Sequence, residues 1–298
     1  TTHTKRSRGR PQKYPPYVIL ALLALKELYN LSLREVLITA RWLLNLQVPA
    51  LSTFHYRIKA FPKELLEEFI AHLGSLIERK ATQSAISTNP ELLYIVDGTG
   101  KGYRGRRVLK YLRGAEEKEV RSHVRLVLLE GCVEGVRYVK GARVGGAYSS
   151  EVRLAEGMLK GCQLSGGGKL LGDRGYDSVR ILEILKSQGV EALIRMKCGR
   201  NQRVRHPLRE ESQRNVERNK KLYRKRNRIE SLFSNLKDKF GEYVRAKNED
   251  VAKVLVLVRV LLYNFGVLGE LEEENFCVWF FGVQESEVSS NIMLFCFI

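Results

Sequence analysis

Paired cysteines are missing from this sequence. Five cysteines (Cys132, Cys162, Cys198, Cys277, Cys296) are scattered over 298 residues, odd in number and with no two close together. That excludes the Cys-x-x-Cys spacing of a structural zinc site and the even framework of a small secreted disulfide fold. Reduced thiols in a cytosolic protein fit the pattern. The basic N-terminus lacks a small-residue cleavage site after an apolar stretch, so no signal peptide is expected. A long uncharged apolar run is lacking too. The most apolar stretch, Val251 to Gly269, carries Lys253 and Arg259 near its middle, which reads as a core helix rather than a membrane span. His123 and His206 have no partner spacing for catalysis or metal binding, and no internal repeat is visible.

Acid is scarce relative to base. There are 33 Asp+Glu against 51 Lys+Arg, a formal net charge of +18 and a pI near 9.8. So basic a chain repels itself unless a polyanion is near, and nucleic acid is the usual one. Apolar residues make up 44% of the chain, enough for a medium-sized core plus a smaller module, so global disorder is excluded.

Residues 1–13 are basic (Lys5, Arg6, Arg8, Arg10, Lys13). They read either as an arm able to touch phosphates or a minor groove, or as a plain disordered terminus. From Tyr17 to about Lys80 the apolar spacing is helical. Ser32-Leu33-Arg34-Glu35 is a capping box opening a helix to about Leu44, and a second helix opens near Ser52 after a turn containing Pro49. Polar and basic side chains, Arg57 and Lys59 among them, lie near the start of that second helix, as a helix-turn-helix entering a major groove requires. Any small helical bundle shares the pattern. Ala81 to Pro90 reads as a linker.

Beyond it the order becomes strand, strand, strand, helix, strand, helix, strand, loop, helix. Glu91–Val96 is a short strand ending at Asp97. His123–Glu130 and Val136–Val144 form a hairpin, and Lys169–Gly172 is a strand ending at Asp173. The basic stretch Gly199–Lys221 reads as a loop feeding a helix over about 222–240. The expected division is 1–88 for a basic arm and helical DNA-binding module, 89–270 for an α/β catalytic domain, and 271–298 for a tail. The aromatic, Cys-containing end of that tail, from Asn275, follows neither a cap nor an amphipathic period.

Three carboxylates stand out. Asp97 (Val-Asp-Gly-Thr-Gly) and Asp173 (Gly-Asp-Arg-Gly-Tyr-Asp) sit where apolar strands meet glycines, which places a charge at the rim of a sheet where a ligand can reach it. An Asp before Gly is also an ordinary turn signal. Asp177 reads as a helix N-cap or as a group supporting Asp173. The third carboxylate is Glu230. At about 100° per residue, Tyr223, Arg226 and Lys237 fall at roughly +20°, −40° and −20° from it, one narrow stripe beside an apolar face of Leu222, Ile229, Leu232 and Leu236. Carboxylates flanked by cations suit phosphoryl transfer: the acids hold hard divalent ions and the cations grip phosphates.

The spacing Tyr223-x2-Arg226-x3-Glu230-x6-Lys237, with both aspartate contexts, resembles the Y-R-E-K signature of bacterial and archaeal insertion-sequence transposases of the DDE class. The resemblance covers about Glu91 to Phe265. It implies a ribonuclease-H-like mixed five-stranded sheet flanked by helices, with the first Asp on strand one, the second after strand four and the Glu on the helix after strand five. Only 57 residues separate Asp173 from Glu230, so the large β-rich insertion of some relatives is not expected. It further implies that Asp97, Asp173 and Glu230 are catalytic and hold two Mg²⁺ ions, with Mn²⁺ able to substitute. Tyr223, Arg226 and Lys237, with Arg57 and Lys59, would bind DNA phosphates. The implied partners are the double-stranded ends of a mobile element, target DNA and further copies of the chain, in a prokaryotic cytoplasm near the nucleoid, with no membrane. Two other readings use the same residues: a catalytically inactive, repurposed DNA-binding protein, and a nuclease that cuts without joining.

Overall fold

The computed structural model describes residues 13–85, 90–103, 108–110, 118–120, 122–197 and 206–272. Most of the basic arm and the 275–298 tail lie outside these. The chain divides into two compact units, Thr1–Phe61 and Pro62–Ile298.

The first unit holds α1 (Pro16–Leu28), α2 (Leu33–Trp42) and α3 (Leu51–Lys59). The capping box forms as expected: Ser32 Oγ accepts from Glu35 N at 3.2 Å, and Glu35 Oε2 accepts from Ser32 N at 2.6 Å. Asn30 and Asn45, both at φ 50°, turn the chain after α1 and α2 in the left-handed region that asparagine tolerates. Ile19, Leu23, Val36, Phe54 and Ile58 are wholly buried at the centre.

The second unit begins with α4 (Lys63–Gln83), followed by β1 (Leu92–Tyr103), β2 (Val108–Lys110), β3 (Lys118–Val120), β4 (His123–Val133) and β5 (Val136–Gly146). Then come α5 (Glu151–Gly161), β6 (Lys169–Gly172), a 3₁₀ turn (Arg174–Tyr176), α6 (Val179–Ser187), β7 (Glu191–Ile194) and α7 (Pro207–Arg218). Last are α8 (Lys220–Tyr223), a 3₁₀ stretch (Arg224–Asn227), α9 (Arg228–Phe240), β8 (Tyr243–Val244) and α10 (Glu249–Glu272). The main sheet runs β5-β4-β1-β6-β7, with β8 added beside the end of β1. β1, β4 and β5 form an antiparallel meander, while β6 and β7 run parallel to β1. This is the expected ribonuclease-H-like order, enlarged by β8 to six strands. β2 and β3 form a separate ribbon.

α4 departs from expectation. Its helical spacing groups it with the N-terminal module, yet its apolar face (Leu66, Ile70, Leu73, Ile77) packs against β5 and α10, and the stretch expected as a linker from Ala81 is helical to Gln83. Gly74 makes the approach possible, because a Cβ there would stand 2.6 Å from the Val139 carbonyl oxygen. One turn on, the Glu78 carboxylate is a buried hub. It accepts from Tyr94 at 3.1 Å, Tyr138 at 2.5 Å and Ser165 at 2.5 Å, and pairs with Lys140 at 3.1 Å. Glu78 is on α4 and its partners lie on β1, β5 and the segment before β6, so one charge network ties four parts of the unit together.

Register explains a second detail. Leu129 pairs with Gly141 but Glu130 with Val139, leaving Lys140 as an extra residue in β5. Buried Asn264 of α10 satisfies the Val139 backbone there, accepting from its N at 2.8 Å and donating to its O at 2.7 Å, as a bulge in a closed interior needs. In α10 the stretch Glu249–Leu271 is long and apolar enough to cross a membrane, and 78% of its apolar 18-residue window is buried inside the structure. A helix apolar on all sides is covered in that way in a protein core.

Candidate active site

The site begins with strand pairing. β1 is longer than expected: it does not end at Asp97 but pairs with β4 as far as Gly102, opposite His123. Its other neighbour, β6, is short, and the parallel register stops at Val96 opposite Gly172. Asp97 and Asp173 are therefore the next residues along two adjacent strands, whose backbones lie about 4.8 Å apart. Asp97 is at the rim because its neighbour ends there.

Both carboxylates are partly engaged by local backbone. Asp97 Oδ1 accepts from Gly98 N at 2.8 Å, and Asp173 Oδ1 accepts from Gly175 N at 2.6 Å to cap the 3₁₀ turn. Burial first, then the charges of Asp173 and Glu151, raise the pKa of Asp97, against the Gly98 N–H and Arg226, which lower it. An acid held in this way gains most from a nearby cation.

Glu230 lies on α9 and is exposed. The charges acting on Asp97 are those of Asp173, Glu151 and Arg226. Among the described residues, no group of three or more His, Cys, Asp or Glu side chains could hold a metal ion. So the register sets the two aspartates side by side, and Asp97, Asp173 and Glu230 do not form a metal-holding group of three as they stand.

The stripe that should carry Glu230 is also broken. Residues 224–227 are 3₁₀ rather than α, at about 120° per residue instead of 100°. Over four residues this adds roughly 80° and turns Tyr223 from the stripe to about −60°, towards the buried face. Tyr223 is accordingly 8% exposed, and its hydroxyl donates to the Gly172 carbonyl at 3.1 Å. Arg195 and Arg226 lie over its ring at 5.1 and 5.9 Å. Tyr223, expected to bind phosphate, thus has its hydroxyl bonded to the strand end that carries Asp173.

Lys237 lies beside the far end of β1. Its charge and that of Arg259 act on Lys101, a buried ammonium without a hydrogen-bond partner, whose pKa burial and these charges push down to about 8. Asp177 does not cap α6 through its side chain. Its carboxylate accepts from Lys197 N at 2.8 Å and Arg209 Nε at 2.9 Å, fastening the expected basic loop, whose 207–218 portion is helix α7. In the first unit, Arg57 donates to the Tyr14 carbonyl at 3.1 Å, whereas Lys59 is exposed.

The sequence reading missed Glu151, Arg125 and Tyr176. Glu151 opens α5 and is ion-paired with Arg125. Tyr176 follows Asp173 in the 3₁₀ turn and is buried. Only the order of elements could have flagged Glu151, since the helix after the third strand starts at the same end of the sheet as both aspartates.

Residues 90–265 match the family of the transposase DDE domain. An uncharacterized protein of Aquifex aeolicus (strain VF5) is 33% identical over 267 residues, covering 89% of this chain and 81% of that protein. Two solved structures align over 95% of this chain. The piggyBac transposase synaptic complex with hairpin DNA is 11% identical, with 72% of its chain covered and a TM-score of 0.43. The Mos1 strand transfer complex is 13% identical, with 83% covered and a TM-score of 0.28.

Proposed function

We infer that this chain, which belongs to the transposase DDE-domain family, binds the ends of a mobile DNA element, cuts them at the Asp97–Asp173 rim and joins them to target DNA. The observation that carries this reading is the register: Val96 opposite Gly172 sets two carboxylates side by side where β6 stops. Their hard oxygen donors fit a divalent cation, the kind of cofactor on which DDE transposases depend. Two Mg²⁺ ions there, with Mn²⁺ able to replace them, would activate a water or 3′-hydroxyl and neutralise charge on the phosphorane.

The remaining roles belong to this chain's own side chains. Asp97 and Asp173 hold the ions. Glu230 joins them from α9 when DNA is bound. Arg226 draws the scissile phosphate towards Asp97, and Lys237 grips a flanking phosphate from further along the same helix. The first unit reads the element end through α3, with exposed Lys59 on a phosphate. Arg57, tied to Tyr14, supports that helix from within. Two copies hold two ends together, acting on DNA in the nucleoid of a prokaryotic cell.

The test is to incubate the protein with Mg²⁺ and labelled end DNA and to resolve nicked from joined products. Asp97→Asn, Asp173→Asn and Glu230→Gln should each remove nearly all cleavage without weakening DNA binding, and their effects should not add, because the groups act as one unit. Wild-type cutting by either Asp variant overturns the site, and wild-type cutting by Glu230→Gln removes Glu230 from it.

A further inference from the structure

Beside the two aspartates, α5 meets the rim of the sheet. Glu151, the first residue of that helix, lies over β1 at Gly98: a Cβ on Gly98 would stand 3.0 Å from Glu151 Cδ and 3.2 Å from Oε1. The absence of a side chain at 98 is what lets the Glu151 carboxylate rest on the strand next to Asp97. From the turn after Asp173 comes Tyr176, 1% exposed, whose hydroxyl is buried without a hydrogen-bond partner. The charges of Asp97, Glu151 and Asp173 all act on that hydroxyl. A buried phenol bonded to none of the acids whose charges act on it is an unmet donor, and such a group needs an explanation.

Arg125 completes the picture. It pairs with Glu151 and donates to the Ala147 carbonyl at 3.4 Å, while its Nε is buried and unbonded. The guanidinium is therefore only partly satisfied where it sits. Against the charges of Asp97, Glu151 and Asp173 the Arg125 cation alone acts on Tyr176, so negative charge stays in excess there.

We propose that Glu151 is a metal-ligating carboxylate of this site, joining Asp97 and Asp173 around a divalent cation, and that Arg125 holds its carboxylate in place until the ion arrives. This rests on the reading of Asp97 and Asp173 as an ion-binding pair. Glu151 is held by Arg125, and among the described residues no three such acids form a metal-holding group as they stand. A doubly charged ion with a small radius outcompetes one diffuse guanidinium for a carboxylate oxygen. Glu151 approaches from the α5 side and Glu230 belongs to α9, so the two acids serve the pair from different elements rather than as substitutes.

Binding of Mn²⁺ to the full chain without DNA, followed by calorimetry and by the electron paramagnetic resonance of free Mn²⁺, tests this directly. Glu151→Gln should weaken Mn²⁺ at least tenfold and cut Mg²⁺-dependent cleavage by a similar factor or more. Glu156→Gln, further along the same helix and bound to Ser178 and Arg180, should leave the affinity unchanged. Equal weakening by Glu156→Gln means that general charge is at work and overturns the proposal. An affinity within twofold of the parent for Glu151→Gln, when Asp97→Asn has lost the ion, overturns it while the aspartate pair stands. Retention of the ion by Asp97→Asn removes the pair itself and the proposal with it. If Glu151→Gln does not fold, Glu151→Asp keeps the Arg125 charge pair but shortens the reach, and the same tenfold criterion applies.

Discussion

Removing the Tyr223 hydroxyl isolates a single interaction at the strand end that carries Asp173. Tyr223→Phe keeps the ring, its burial and the cations over it, and deletes only the 3.1 Å bond to the Gly172 carbonyl. A neutral hydrogen bond contributes about 0.5–1.5 kcal/mol net, and a buried acceptor left bare costs about 1–3 kcal/mol. Gly172 also lies in the sheet between β1 and β7, so its carbonyl is not wholly orphaned and about 1 kcal/mol is the expected loss. For a unit of this size that lowers Tm by roughly 2–4 °C. Burial raises the pKa of the phenol, so the parent group remains a donor across the useful pH range. DNA affinity should stay within twofold, because an 8% exposed side chain has little surface to offer a phosphate. Cleavage should fall by about 10–100-fold, since a displacement near 1 Å of a reacting group costs on that order. Thermal denaturation, fluorescence anisotropy with end DNA and single-turnover cleavage read the three quantities. A tenfold loss of DNA affinity with an unchanged Tm would mean that the hydroxyl faces DNA, and would refute the reasoning.

Four other perturbations are specific to this structure. Glu78→Gln leaves Lys140, itself buried, without its counter-charge, and the loss should be about 3–5 kcal/mol by urea denaturation. Adding Lys140→Met should recover part of it, and no recovery would show that the tyrosine and serine bonds dominate. Lys101 has a folded pKa of about 8 against an ordinary value near 10.4, so the folded chain binds fewer protons between those values and stability rises with pH across that window. Lys101→Met should therefore be more stable than the parent at pH 7, with the gap closing towards pH 10, and a gap that widens with pH would reverse the sign assigned here. Lys59→Ala should weaken end binding and reduce the salt slope by about one without moving Tm. Arg57→Ala should lower the Tm of the first unit, because its guanidinium is spent on Tyr14, and an unchanged Tm would return Arg57 to the DNA surface.

Much of the fold could be read from local signals. Alternation and turn residues located β4 and β5, joined through Glu134 and Gly135 with φ of 43° and 93°, the positive pair that a tight hairpin needs. The capping box located α2 to within two residues. What failed was what depends on a distant partner. α4 looks like any amphipathic helix, and its place on the sheet shows only where Gly74 meets the Val139 carbonyl and Glu78 meets Lys140. β1 looks finished at Asp97 because glycines follow, yet β4 supplies hydrogen bonds as far as Gly102. The extra residue in β5 shows only in its register with β4, and the asparagine that satisfies it lies 125 residues away.

The same division runs through the site. Asp97 and Asp173 are legible because each ends an apolar run, and adjacency follows once β1 and β6 are paired in register. Glu230 depends on helical phase, which a four-residue 3₁₀ stretch shifts by roughly 80° without any residue in Arg224–Asn227 announcing it. That shift buries Tyr223 under the Asp173 strand, while Glu230 on α9 is exposed. Glu151 was invisible for the opposite reason, since an acid in the first turn of a helix needs no explanation beyond the helix dipole. Its meaning comes from Gly98 beneath it and Tyr176 beside it, one on β1 and one on the turn after β6. A site assembled from the ends of adjacent strands draws its acids from whichever helices start or pass there. The two strand residues can be found by reading along the chain, and the helix residues only by asking which carboxylate the fold sets next to them.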